Sequence, residues 1–168
     1  MEGDQRAGHV VKVGIAQFRV ARAPVKMMTM ALGSCLGIVL FDASARVGAL
    51  AHAMHPRRER VKNNANQAKF VDTVIPLLID RMVRLGAQRD RIVAKLFGGA
   101  KMFDSYAGCR GLLQIGDDNV AAARVELNER GIPIVAECVG GSNGRTIVFD
   151  LSNGLVSVRD SSNAEESH

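Results

Sequence analysis

Cys35 ends the stretch Thr29-Met-Ala-Leu-Gly-Ser-Cys35, and His52 lies inside Gly48-Ala-Leu-Ala-His-Ala-Met54. A thiol paired with an imidazole suits attack on an acyl carbon. The ring takes the thiol proton, the pair can rest as thiolate and imidazolium, and the same ring protonates the leaving group. Such a ring is ordinarily held by a third group. Thr29, on the short run just upstream, is the nearest candidate. Backbone N–H groups in the Gly33-Ser34-Cys35 turn, Gly33 and Ser34 foremost, are expected to stabilise an oxyanion.

For this chemistry to work, local structure must bring the residues together. Two apolar runs, 35–41 and 47–54, read as antiparallel strands, with Asp42-Ala-Ser-Ala45 as their connection, because Asp and Ser bond to turn backbone. A four-residue loop over 42–45 sets Phe41 opposite Arg46 and Cys35 directly opposite His52, with Cβ atoms about 5 Å apart. It also sets Gly37 opposite Leu50, leaving room above the pair. A slip of one residue would turn the histidine to the other face. Spacing alone leaves a plain reading open, since free cysteine is among the most buried residue types. Leu36, Ile38 and Leu40 make one face of the first strand apolar, and Val39 and Phe41 the other. A strand covered on both sides belongs in a layered α/β architecture.

The rest of the chain fits that frame. Residues 10–20 read as a strand broken at Ala16-Gln17, Ala23-Pro24 as a turn, and Met27–Met30 as a short strand. His55-Pro56 ends the histidine strand. Asn66 is expected to cap a helix over 67–85 in which Pro76 marks a bend or the real start, with Gly86 at its C′ position. A strand over 91–97 stops at Gly98-Gly99, and 104–114 reads as an irregular loop. Asp117 or Asp118 is expected to cap a helix ending at Gly131. Strands are expected over 132–139, 146–151 and 155–158, and a polar, disordered tail from Ser161. The whole, 1–168, is expected to be one domain with its core over about 10–159.

Composition narrows the class. Of 168 residues 47% are hydrophobic and 23% charged, as in ordinary globular proteins. The net charge is +5, but its densest run, Arg57-Arg-Glu-Arg-Val-Lys62, is short and holds an acid, and only 4% of residues are aromatic. That argues against a nucleic-acid surface and leaves open contact with an acidic protein. Cys35, Cys109 and Cys138 are odd in number and lack CxxC spacing, which argues against a disulfide framework and a structural zinc site. No run approaches the apolar length of a membrane span or a signal segment, so neither membrane insertion nor export is expected, and the location is expected to be cytoplasmic.

Leu32-Gly-Ser-Cys-Leu-Gly-Ile-Val-Leu-Phe-Asp42 followed by Gly48-Ala-Leu-Ala-His-Ala-Met-His-Pro56 resembles the signature of the CheD family, the chemoreceptor glutamine deamidases. The likeness continues through Phe70–Leu78, Ala94-Lys-Leu-Phe-Gly-Gly-Ala100, Ile115-Gly-Asp-Asp-Asn119, Gly131–Glu137 and Gly140-Gly-Ser-Asn-Gly-Arg-Thr146. The resemblance implies a single-domain layered α/β sandwich with a mixed, largely antiparallel sheet, similar to deamidating toxins of the cytotoxic necrotizing factor type. It implies hydrolysis of glutamine side chains on methyl-accepting chemotaxis receptors to glutamate and ammonia. Cys35 falls on the family's nucleophile, His52 on its histidine and Thr29 on its threonine. No metal or organic cofactor is implied, and the usual partner is the phosphatase CheC. The alternatives are a binding partner of CheC or receptor with little or no catalysis and, more remotely, a thiol protease or acyltransferase. The substrate being a receptor helix, the site should be a shallow groove, which Phe97-Gly98-Gly99 and the 104–114 loop could line. Cys138 stands where the family often has an acid and reads as a buried strand residue. His55 reads as a polar strand end, and Arg145 as either structural or substrate-contacting.

Overall fold

A computed structural model describes residues 9–101, 114–162 and 165–168. In chain order the elements are β1 (Val10–Lys12), β2 (Phe18–Arg22), β3 (Lys26–Leu32), β4 (Leu36–Asp42), β5 (Val47–Ala53), α1 (Val71–Arg84), β6 (Val93–Gly98), α2 (Ile115–Glu129), β7 (Ile134–Val139), β8 (Arg145–Asp150), β9 (Val156–Asp160) and β10 (Glu165–Ser167). One sheet has the order β1-β3-β8-β9-β10 and the other β2-β5-β4-β6-β7. The β1/β3 and β6/β7 pairs are parallel and the remaining ladders antiparallel. The mixed, largely antiparallel character read from the sequence thus holds, spread over two sheets.

Side-chain alternation along β4 and β5 builds the layers. Leu36, Ile38, Leu40, Val47, Ala49, Ala51 and Ala53 point to the helices and pack on Val74, Ile75, Leu78 and Ala123. Val39, Phe41 and Leu50 point the other way, into a second core with Met27, Leu32, Ile147 and Phe149 of the opposite sheet. The order of layers is sheet, sheet, helices, and β4 and β5 are covered on both sides as their unbroken apolar runs demand.

Several local expectations are corrected. The break at Ala16, whose φ is 56°, does more than interrupt one strand: it sends β1 and β2 to different sheets. Asn66 caps a short 3₁₀ turn over Gln67–Lys69, accepting from Ala68 N–H at 3.0 Å, and α1 itself begins only at Val71. Pro76 neither starts nor ends α1. Gly86 and Gly131, at φ 97° and 67°, close the two helices as C′ residues. Asp117 and Asp118 lie in the first turn of α2, where a negative charge suits the helix dipole, and neither is the cap; that position is Gln114. The tail is not loose throughout, because Glu165–Ser167 pairs with β9. The expected 104–114 loop, with Cys109, falls outside the described residues apart from Gln114.

Candidate active site

The hairpin that carries Cys35 and His52 is formed, in a different register. The loop spans residues 43–46, and Asp42 is the last residue of β4, opposite Val47. Asp42 is fully buried and accepts from the N–H groups of Ala45 (3.0 Å) and Gln88 (2.9 Å) and from Arg91 (3.0 Å). Burial pushes its pKa up, but these donors outweigh it and hold the carboxyl below its ordinary range. Arg46, at φ 53°, completes the turn. His52 therefore sits opposite Gly37, not Cys35, and Leu50 opposite Val39. The shift is of two residues, so the alternation is conserved. His52 stays on the face that looks between the sheets, and Cys35, just before β4, packs against the same inter-sheet core.

His52 is held across the gap between sheets. Thr29 Oγ1 lies 2.7 Å from His52 Nδ1, with both residues buried. Thr29 comes from β3, in the opposite sheet, so the three residues are not a local corner of one sheet. Between Thr29 and Leu32 the β3/β8 ladder carries a bulge, with Ala31 at φ 58°. Thr29 and Met27 already face inward. The extra residue brings Leu32 inward as well, to cover Gly37, where a Cβ would stand 2.8 Å from Leu32 Cδ1.

The turn bearing Cys35 is fastened through its carbonyl groups. Gly33 O accepts from Ala100 N (2.8 Å), Ser34 O from Asn119 Nδ2 (2.9 Å), and Cys35 O from Gly99 N (2.9 Å). Gly98, at φ 98°, passes so close that a Cβ there would run into Cys35 O. Gly33 N–H is already given to Ala31 O at 3.0 Å. That removes Gly33 from the expected oxyanion donors and leaves Ser34 of the two.

Asn119 is the residue the sequence reading passed over as mere motif. Its side chain is wholly buried, and its Nδ2 donates both to Ser34 O and, at 3.1 Å, to Met54 O. One amide thus ties the turn before Cys35 to the end of the strand that carries His52. The available signal was an amide on the buried stripe of α2, beside Gly116, Ala123 and Leu127.

Burial sets the charge state. It lowers the His52 pKa to about 4 and raises that of the Cys35 thiol, opposed only partly by the thiol's own backbone N–H. Both shifts favour thiol and neutral imidazole near neutral pH over the thiolate and imidazolium that such a pair can also form. His52 Nε2 is buried with no hydrogen-bond partner among the described residues. An uncharged ring held at Nδ1 with Nε2 vacant is arranged as a base that has yet to meet its proton. His55 stands apart from this set, stacked on Phe70 with ring centres 6.0 Å apart. Arg145 reaches Gly98 O at 3.4 Å, which gives it a contact with the turn that abuts Cys35. In the basic run, Arg60 pairs with Asp118 at 3.4 Å.

A family model described as CheD chemotactic sensory transduction matches residues 54–160, a span that begins just after His52. The probable chemoreceptor glutamine deamidase CheD of Moorella thermoacetica is 48% identical over 89% of this chain and 89% of its own. That of Thermococcus kodakarensis is 47% identical over 92% of this chain and 95% of its own. Among solved structures, the Neisseria meningitidis protein NMB0706 (DUF152) superposes with a TM-score of 0.52 over 84% of this chain and 75% of that one. At 13% identity that is a likeness of fold alone.

Proposed function

This chain belongs to the CheD family, and from that premise we propose that it hydrolyses the side-chain amide of selected glutamines on chemoreceptors, giving glutamate and ammonia. The observation that carries this reading is the buried 2.7 Å contact of Thr29 with His52 Nδ1, with Nε2 left open. A ring that donates from Nδ1–H to the Thr29 hydroxyl keeps its Nε2 lone pair for a proton.

The reaction proceeds in two halves. His52 Nε2 takes the Cys35 proton as Sγ attacks the glutamine amide carbon, and the resulting oxyanion is met by the Ser34 N–H. The imidazolium then gives its proton to the departing nitrogen. The C–N bond breaks, ammonia leaves, and a thioester remains on Cys35. Water, deprotonated by His52, attacks that thioester, and the thiol departs with the proton to restore the enzyme. Attack needs the Cys35 side chain to close on Nε2, which it does not touch at rest. Such contacts commonly tighten only when substrate arrives. The threonine acts as a positioning residue, fixing the ring's tautomer and orientation.

The substrate proteins are methyl-accepting receptors, the location is the cytoplasm, and a CheC-type phosphatase is the regulatory partner. No helix among the described residues is long and apolar enough to cross a membrane, which fits a protein that meets receptors from the cytoplasmic side. The test is incubation with receptor cytoplasmic fragments, with mass spectrometry to detect the gain of about one dalton that replaces an amide by an acid. Cys35→Ala and His52→Ala should each lose it, by about 10⁴-fold or more for the nucleophile. The same gain in both variants as in the natural chain would end the proposed mechanism. No gain with any receptor fragment would instead favour the binding-partner reading.

A further inference from the structure

A second cluster of ligand-type side chains lies at the open edge of the sandwich. Cys138 is on β7, paired in register with Phe97, and faces the gap between the sheets. Glu166 and His168 come from the tail, two residues apart and so on one face of the extended chain. Glu166 pairs with Val158, whose side chain lies in the inter-sheet core, so this face also looks into the gap. The Cys138 Sγ, one Glu166 carboxylate oxygen and one His168 ring nitrogen all lie within 4.8 Å of one another. His168 Nε2 is buried and makes no hydrogen bond among the described residues, although Glu166 Oε2 stands 3.3 Å from it.

The tail is held here by more than its ladder. His168 exchanges backbone hydrogen bonds with Val156 at 2.8 and 2.9 Å, and its backbone oxygen accepts from Lys95 Nζ at 2.7 Å. Its ring meets Phe97 edge-on, with centres 6.0 Å apart. The backbone of His168 is thus held by Val156 and Lys95 and its ring by Phe97, with a ring nitrogen close to a thiol and a carboxylate.

We propose that Cys138, Glu166 and His168 form a zinc-type divalent metal site that fastens β10, the edge strand of one sheet, to β7, the edge strand of the other. Thiolate, imidazole and carboxylate together suit zinc. Ligand bonds of about 2.0–2.3 Å require tetrahedral donor separations of about 3.3–3.8 Å, within a modest closure of the present arrangement. Glu166 is 67% exposed, so water completes the fourth position from the solvent side. Binding breaks the Cys138 S–H bond and forms the metal–sulfur bond, and the proton passes to solvent. No redox partner is involved.

The test uses the full chain and cobalt(II) as a coloured stand-in for zinc. One equivalent should produce a near-ultraviolet sulfur-to-cobalt charge-transfer band that zinc then removes. The chain has three cysteines, so Cys35→Ala/Cys109→Ala leaves Cys138 alone and should keep the band. His168→Ala, an alteration confined to the tail, should weaken cobalt binding at least about tenfold. On the natural chain, zinc should slow iodoacetamide alkylation of Cys138, read by peptide mass spectrometry. No band in the double variant, unchanged affinity in His168→Ala, or equal Cys138 alkylation with and without zinc would each overturn the proposal.

Discussion

At the centre of the sandwich Cys35 and His52 lie among residues drawn from both sheets and from α2, whereas at its open edge Cys138 and His168 join β7 to a strand of the tail. Both clusters pair a thiol with an imidazole, so residue type alone does not separate them. What differs is the company of the ring. His52 has Thr29 on Nδ1 at 2.7 Å and, among the described residues, no partner on Nε2. His168 faces a carboxylate at 3.3 Å, with a thiol in the same small space. A hydroxyl fixes the ring without supplying charge and leaves it a base, while a carboxylate adds a donor and a negative charge, which draws a cation. The two surroundings also differ in access to water. His52 is fully buried, and burial keeps it neutral to about pH 4. Glu166 is largely exposed, which suits a site that must exchange a metal and its water.

The contrast can be broken most sharply at His52. His52→Gln keeps a hydrogen-bonding side chain but no titrating nitrogen, and should cost about 10³–10⁴-fold in kcat for deamidation of a receptor fragment. A loss below tenfold would mean the central ring is not the base. Next in size is the bond that defines the ring's company: Thr29→Val should lower kcat by about 10²-fold with KM little changed, and Thr29→Ser should restore most of it. Equal rates for Val and Ser would reduce Thr29 to packing. Asn119→Ala frees the carbonyl groups of Ser34 and Met54 from their shared donor. It should cost about 1–3 kcal/mol of stability in urea unfolding and about tenfold or more in kcat, because the turn and the strand lose their common tie.

Acidity probes the same contrast more gently. The central base should lose activity as pH falls through about 4, not through the 6.5 of an ordinary histidine, read as the acidic limb of kcat/KM. The ring's stability contribution has the same origin. Unfolded, His52 takes its proton near 6.5; folded, only near 4. The stabilisation is thus complete above pH 6.5 and is lost as pH falls from there towards 4, by up to about 3 kcal/mol. Comparison with His52→Gln, which lacks the titration, isolates it in pH-dependent urea melts. The smallest effect is at the edge: without added metal, His168→Ala should lower Tm by only a few degrees, as for loss of about 1 kcal/mol.

Much of this was legible in the sequence, and the failures have physical causes. The hairpin, its faces and the membership of Cys35 and His52 on one side could be read from two apolar runs around a polar turn. The register missed by two because Asp42 looks like a loop residue. Buried hydrogen bonds from Gln88 and Arg91, distant in sequence, hold it in the strand instead. A miss of two conserves side-chain alternation, so Cys35 and His52 still fall on one side of the sheet. That β3 belongs to the opposite sheet could not be read, since strand periodicity says which residues share a face and not which sheet they join. The helix cap at Asp117 or Asp118 failed because both side chains suit a first turn as well as a cap. The tail and Cys138 were beyond reach for a different reason. Their proximity depends on β10 pairing with β9, and no local spacing links residue 138 to residues 166 and 168.

The Thr29–His52 contact has a meaning for folding as well as for chemistry. It is a buried hydrogen bond thrown between two sheets that meet mainly through apolar contacts, which have no direction and tolerate small slides. A hydrogen bond tolerates little, and a displacement of about an ångström breaks it. On the proposed mechanism, turnover serves as a strain gauge for the seam. Under mild heating or low denaturant, catalysis should fade while far-ultraviolet circular dichroism still reports intact strands and helices, because the sheets need only shear, not melt, for the base to lose its bearing.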